Sequence, residues 1–163
     1  SLTHPKEFRI YKKENISNYC ELIHLYFENK KWAAVQYKYY ASLNENKHPK
    51  IEKINLSTNL NLDLVWLEIL GTNIDFLPNQ SEIEYKLRGK LLIETLANGE
   101  YEHVYKSTII MDGIHYKVSV RNNTKINEIT FDNPESYLKL YPEVDELIDF
   151  CNLLKLLKKS FSS

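Results

Sequence analysis

Glycine is scarce in this chain: four residues in 163, at positions 71, 89, 99 and 113. No GxGxxG or GxxxxGK loop can be assembled from them, which excludes nucleotide binding by those routes. HExxH and GxSxG are also missing, and with them the zinc-protease helix and the nucleophile elbow. Cysteine is limited to Cys20 and Cys151. A structural zinc site needs four ligands in paired short spacings, so no metal centre of that kind is expected. Both thiols are expected to be reduced and buried as small apolar side chains, although spacing alone leaves open whether they pair. Long apolar runs are missing too, so no helical span of a bilayer is expected. Charge of one sign is also lacking: 21 basic and 22 acidic side chains leave a net −1. Nucleic-acid binders usually carry a basic excess, because phosphate neutralisation supplies much of their affinity, and no such partner is expected. The chain has no initiating Met; its first one or two residues read as a cloning remnant. A trimmed start fits an extracytoplasmic protein that has lost a signal segment, and without such a loss the cytoplasm is expected.

What is present is an ordinary soluble composition. The hydrophobic fraction of 43% and charged fraction of 26% are too balanced for a disordered chain. The length suits one domain, residues 1–163, with a core large enough to stand without staples.

Period-two alternation over 20–40 predicts a hairpin turning at "ENKK", and "KIEKINL" after the polar loop Asn44–Pro49 predicts a further strand. On the second strand of the hairpin, Val35, Tyr37 and Tyr39 are expected inward, with Lys38 and Tyr40 outward. The period then changes. Leu62, Val65, Trp66, Ile69 and Leu70 form a helical stripe, with Asn61 to cap it and Gly71 to supply a left-handed exit. From residue 90 onward, "ANGE", "MDGI" and "NNTK" are turn signals that predict an antiparallel meander. In it, Thr108 to Met111 pairs with a strand that puts Ile114, Tyr116, Val118 and Val120 inward and His115, Lys117, Ser119 and Arg121 outward. At the C-terminus, Asp132 or Asn133 caps a short helix begun by Pro134, and Pro142 ends it. A second helix follows, with acids first and lysines last, burying Val144, Leu147, Ile148, Cys151, Leu154 and Leu157. The expected fold is α+β: mainly antiparallel sheet, one internal helix, and a C-terminal helical pair broken at a proline.

Chemistry is sparse. His103 and His115 are too far apart along the expected ladder to share a metal, and His24 reads as a hydrogen-bonded, partly buried ring. Glu82 with Glu84, and Glu100 with Glu102, share faces if extended, which is the pattern of a solvated outer face. Cys151 lies on an apolar stripe, where a thiol is inert. No cofactor is implied. The distinctive feature is aromatic, with 12 tyrosines and 2 tryptophans. Tyrosine joins a large apolar body to a polar tip and suits interfaces. Trp32, Lys38, Tyr40, His115 and Lys117 are therefore the candidate binding residues, with a protein or a saccharide as partner. The expected function is a non-catalytic binding or interaction protein; the alternative is a small hydrolase or isomerase using a carboxylate with a histidine.

Gly113, Tyr116, Val118, Phe131, Asn133, Pro134, Tyr137 and Pro142 form a pattern in the last third of the chain. It resembles the end of small uncharacterised proteins of Bacteroidetes-type bacteria. The resemblance implies a bacterial origin and a hairpin docked on a C-terminal helix, and it carries no activity.

Overall fold

The computed structural model describes residues 1–42, 48–56, 61–111 and 113–161. The fold is α+β. A six-stranded antiparallel sheet runs in the order β4-β3-β2-β1-β7-β8, and a separate two-stranded hairpin is formed by β5 and β6. The strands are β1 Lys6–Glu14, β2 Tyr19–Glu28, β3 Lys31–Tyr40, β4 Lys50–Asn55, β5 Leu91–Thr95, β6 Tyr101–Tyr105, β7 Ile114–Asn122 and β8 Lys125–Asp132. The α-helices are α1 Leu62–Leu70, α2 Pro134–Leu140 and α3 Asp145–Phe161, with a 3₁₀ turn over Gln80–Lys86. No helix among the described residues is long and apolar enough to cross a membrane.

The turns follow local chemistry. Asn29 and Lys30 both take positive φ between β2 and β3, and Asn123 does so between β7 and β8. That backbone matches the twist of a tight hairpin. The Asn61 side chain accepts the Asp63 amide and starts α1 at the expected residue. Gly71 is right-handed (φ −63°), so the left-handed exit falls at Asn73 instead. The expected polar loop lies largely outside the described residues, as does Asp112 of "MDGI".

The chain also departs from the expected meander. Residues 108–111 form no strand; β7 pairs instead with β1 on one side and β8 on the other. β1 takes that place because Phe8 and Ile10 alternate on the core side and meet Val120 and Val118 in register. Gly113 lies hard against Asn133: a Cβ there would sit 1.4 Å from the Asn133 Oδ1 atom. That oxygen accepts the Ile114 amide at 2.7 Å, so Asn133, at positive φ, holds the expected N-cap position of α2 but uses its side chain to latch the start of β7.

One face of the sheet carries the helices. Phe131 stacks on Phe150 of α3 at 4.3 Å, Tyr116 meets the same ring edge-on, and Trp32 packs on Trp66 of α1 at 5.3 Å. These contacts dock the β7–β8 hairpin on the C-terminal helix. The buried side of α3 is centred on Leu147, Phe150, Cys151, Leu153 and Leu157; Ile148 and Leu154 are only half-buried. Phe150 and Leu153 complete that stripe because the helix is covered by both the sheet and α2, which widens its buried arc.

The facing of β3 is the reverse of the expected one. Ala34 stands opposite the core residue Leu25, so Trp32, Lys38 and Tyr40 share the helix-side face. Val35, Tyr37 and Tyr39 lie on the other side. The physical reason is that the small Ala34 and the stacking Trp32 admit the helices closely. Val35 is buried without them, beside His24 and Asn55 on neighbouring strands.

Because Phe150 touches both Phe131 and Tyr116, its truncation should remove more than its own burial. Phe150→Ala is expected to destabilise the fold by about 3–5 kcal/mol in urea unfolding. A loss under about 1 kcal/mol would show that the stack is not central to the core.

Candidate functional site

The structure does not gather the sequence-predicted residues. Trp32, Lys38 and Tyr40 lie on the helix side of the sheet, whereas His115 and Lys117 are on the opposite face, as their alternation predicts. Trp32 is committed to the core and donates its indole N–H to Asp63 at 2.5 Å. Tyr40 packs on Tyr19 at 4.9 Å, and His115 meets Asp132 at 2.7 Å. Lys117 makes no ion pair among the described residues. Glu82 and Glu84 lie in the 3₁₀ turn rather than a strand, and Glu82 accepts the Asn79 amide as a cap. Cys20 and Cys151 are both free; Cys20 is only half-buried.

Sequence reading missed a polar cluster on the helix-free face. Glu7 on β1 is 0% exposed. Its Oε1 takes Arg9 Nη2 at 2.5 Å and His24 Nε2 at 2.8 Å; its Oε2 takes the backbone amides of Thr3 at 2.6 Å and His4 at 2.8 Å. Residues 1–5 thus fold across this end of the sheet and roof the carboxylate. Burial alone would raise the Glu7 pKa, but the two amides and the Arg9 guanidinium outweigh it and hold the group at about 2. An ionised carboxylate only accepts, so His24 carries its proton on Nε2. Burial in turn lowers the His24 pKa against the pull of Glu7. A conspicuous signal in the sequence was lacking, because "KEFRIYKKE" alternates charge with apolar residues and its glutamate reads as solvated.

Ligand atoms of His4, Glu7 and His24 lie within 4.8 Å of one another. The donor set does not suit a cation. A metal would have to displace Arg9 from one oxygen and two amides from the other. It does not suit general acid–base work either. The nearest cleft, of about 360 Å³ and lined by Arg9, Tyr11, Cys20 and Ser119 among others, reaches neither Glu7 nor His24. A carboxylate held at about 2 is a weak proton acceptor at neutral pH. The Glu7 cluster is therefore a structural fastening, which joins the N-terminal arm to β1 and β2.

The feature that stands apart is the β5–β6 hairpin. It turns at Asn98-Gly99, where Gly99 takes φ 86° and Asn98 accepts the Glu100 amide at 3.1 Å. Alternation gives it two unlike faces. Leu92, Glu94, Glu102 and Val104 share one, with Glu94 directly opposite Glu102. Opposed acids on neighbouring strands repel unless water surrounds them, so this face is built for solvent. Leu91, Ile93, Thr95, Tyr101, His103 and Tyr105 share the other face, which carries no acid. Arg88 lies over the Tyr105 ring at 4.6 Å, at the base of the hairpin. Beyond Arg88 at its base, the apolar face stands open to solvent: Ile93 is 68% exposed and Tyr101 78%. The sequence did contain a signal, the alternation of "LLIETLANGEYEHVY", but it matched a strand pair inside the main sheet equally well. In comparison with known proteins, the chain matches no family model, no curated protein and no solved structure.

The Glu7 fastening makes a pH-dependent expectation. A folded-state pKa of about 2 against the ordinary 4.5 gives stability that is fully present above pH 4.5 and is lost as pH falls from there towards 2. The contribution is about 3 kcal/mol. Glu7→Gln should lower the urea stability at pH 7 by about that amount and flatten the acid limb below pH 4.5. A variant with the wild-type acid limb would assign that limb to other carboxylates.

Proposed function

We propose that this protein is a non-catalytic interaction protein whose β5–β6 hairpin engages a polypeptide partner. The observation that carries this reading is a two-faced hairpin whose apolar face is uncovered. An isolated two-stranded ribbon is at best marginal in water, so its amphipathic pattern makes physical sense when a second surface meets it. The composition of the face suits such a contact. Tyr101 and Tyr105 offer large rings with polar tips, and Leu91 and Ile93 supply aliphatic area. The aliphatic pair favours a protein over a saccharide, whose polar rim rewards rings and hydrogen bonds more than exposed leucine. The outer edges of β5 and β6 also bear unpaired backbone groups, which allow a partner to add a strand. The hydrolase or isomerase alternative draws on the Glu7–His24 contact. A buried carboxylate with both oxygens occupied argues against it.

The test separates contact from folding. Ile93→Ser with Tyr101→Ser should leave the melting midpoint of the main fold nearly unchanged, since exposed substitutions cost within about 0.5 kcal/mol. A photo-reactive phenylalanine analogue at Tyr101 should crosslink, in a lysate of the source cell, to one polypeptide. The same probe at the equally exposed Ile16 should not. The double substitution should abolish capture of that polypeptide by the probe-free protein. Capture that survives the substitutions, or the same crosslinks from both positions, would remove the hairpin from the interface.

A further inference from the structure

The helix-free face of the sheet carries a row of side chains in register across five strands. It runs from Lys53 on β4 through Tyr37 on β3, Leu22 on β2 and Tyr11 on β1 to Lys117 on β7. The next row sets Tyr39 on β3 and Lys13 on β1 beside it. Rings and a leucine thus form the middle of the patch, and lysines form its rim. Tyr11 and Tyr39 are 36% and 38% exposed, and all three lysines are exposed. Lys53 lies 5.8 Å from the centre of the Tyr37 ring. None of the three lysines has an ion-pair partner among the described residues. The acids of this face stand at its margins. Glu128 and Asp132 are on the outermost strand, β8, where Glu128 takes the Ser119 hydroxyl at 3.4 Å and Asp132 meets His115. Glu7 and Glu28 are at the end roofed by the N-terminal arm, Glu7 closed by its donors and Glu28 facing His4 at 3.5 Å. The net charge of −1 argues against a nucleic-acid partner only as a total. The fold sorts that charge and leaves lysines around the tyrosines.

We propose that this face binds a single strand of nucleic acid, with bases stacked on Tyr11, Tyr37 and Tyr39 and phosphates held by Lys13, Lys53 and Lys117. The site is separate from the β5–β6 hairpin and does not rest on the hairpin's role. Charge complementarity selects an anionic partner, and the rings select what kind. A single strand offers phosphates and open base faces together, at a repeating interval, which is what a stacking platform with a basic rim engages. A duplex keeps its base faces inside its own stack and offers the lysines phosphates alone. An acidic peptide supplies charge without flat rings. The dimensions fit: Lys53 and Lys117 are separated by four inter-strand steps of about 4.8 Å, so the row is roughly 19 Å long, enough to carry several nucleotides. The cleft of about 360 Å³ lies at the Lys117 end of the row, with Tyr11 and Lys13 in its lining and Ser1 and Leu2 at its wall. It gives the strand a concave place beside the open platform.

Fluorescence anisotropy on the full chain at about 50 mM salt tests this with three labelled probes of equal length: an oligothymidylate of twelve nucleotides, the same backbone without bases, and a duplex. The oligothymidylate should bind saturably, about tenfold or more tighter than either the abasic strand or the duplex. Its log affinity should fall against log salt with a slope of about −2, as three phosphate contacts on a single strand require. Tyr11→Leu with Tyr39→Leu keeps aliphatic bulk and removes two rings. It should weaken the oligothymidylate about tenfold and leave the abasic strand unchanged. Lys13→Gln with Lys117→Gln should weaken both strands and bring the slope to about −1 or less. Near-ultraviolet dichroism shows that each variant keeps its packing, and the exposed lysine pair supplies a route to lost binding that leaves the rings in place. The hairpin variant Ile93→Ser, Tyr101→Ser should bind the oligothymidylate as the wild type does. The proposal fails if the folded wild type does not bind the oligothymidylate, or if the lysine variant keeps full affinity. Equal binding of the abasic strand or the duplex, or equal competition by oligoglutamate, overturns it in favour of a general polyanion surface. Loss of binding in the hairpin variant also overturns it and moves the site to the exposed apolar hairpin.

Discussion

The pairing of β1 with β7 is the constraint on which the rest of the molecule depends. Lys6–Glu14 aligns with Ile114–Asn122 over the whole length of both strands. Without it, β2–β3–β4 and β7–β8 are two separate ribbons, each with one apolar face and nothing to close it. With it, they become one sheet wide enough to seat α1 and α3. The cost of closing so long a loop grows only with the logarithm of its length, so the contact is slow to form more than it is weak. Register is then fixed by burial. A slip of one residue would turn Phe8 and Ile10 to the helix-free face and bring Glu7 and Arg9 under α3. The two ends of this pairing are also held independently. Asn133 grips the Ile114 amide at one end, and the Glu7 carboxylate gathers the N-terminal arm at the other.

That dependence explains which parts of the fold were legible in the sequence. Elements specified by neighbours along the chain were readable: α1 with its Asn61 cap, the Asn-rich turns, the helix start at Pro134 and the helix break at Pro142. Each rests on a side chain that sets its own backbone. Elements specified by distant partners were not. β1 has the composition of a solvated strand, and only its position between β2 and β7 makes Glu7 the most buried charge in the sheet. The facing of β3 failed for the same reason. Parity says that odd and even residues separate, but which set is covered depends on where α1 places Trp66. The Glu7 cluster was invisible because its donors are backbone amides and side chains from three separate places in the chain.

The helix side of the sheet is not apolar along its whole length. In register across four strands, Lys12, Glu21, Lys38 and Glu52 form a row on the helix side, one step beyond the row of Ile10, Ile23, Gln36 and Ile54. Charged side chains on the face that elsewhere is core mark the line at which the helices stop. Cross-strand alternation of sign lets the row tolerate partial desolvation. It also sets a limit on collapse. Were those four positions apolar, α3 could slide over them at the expense of the Phe131–Phe150 stack. As it is, the charges hold the margin of the sheet at solvent, while Ile10, one step further in, is buried with Leu157 in the core and Ile23 and Leu154 pack against them.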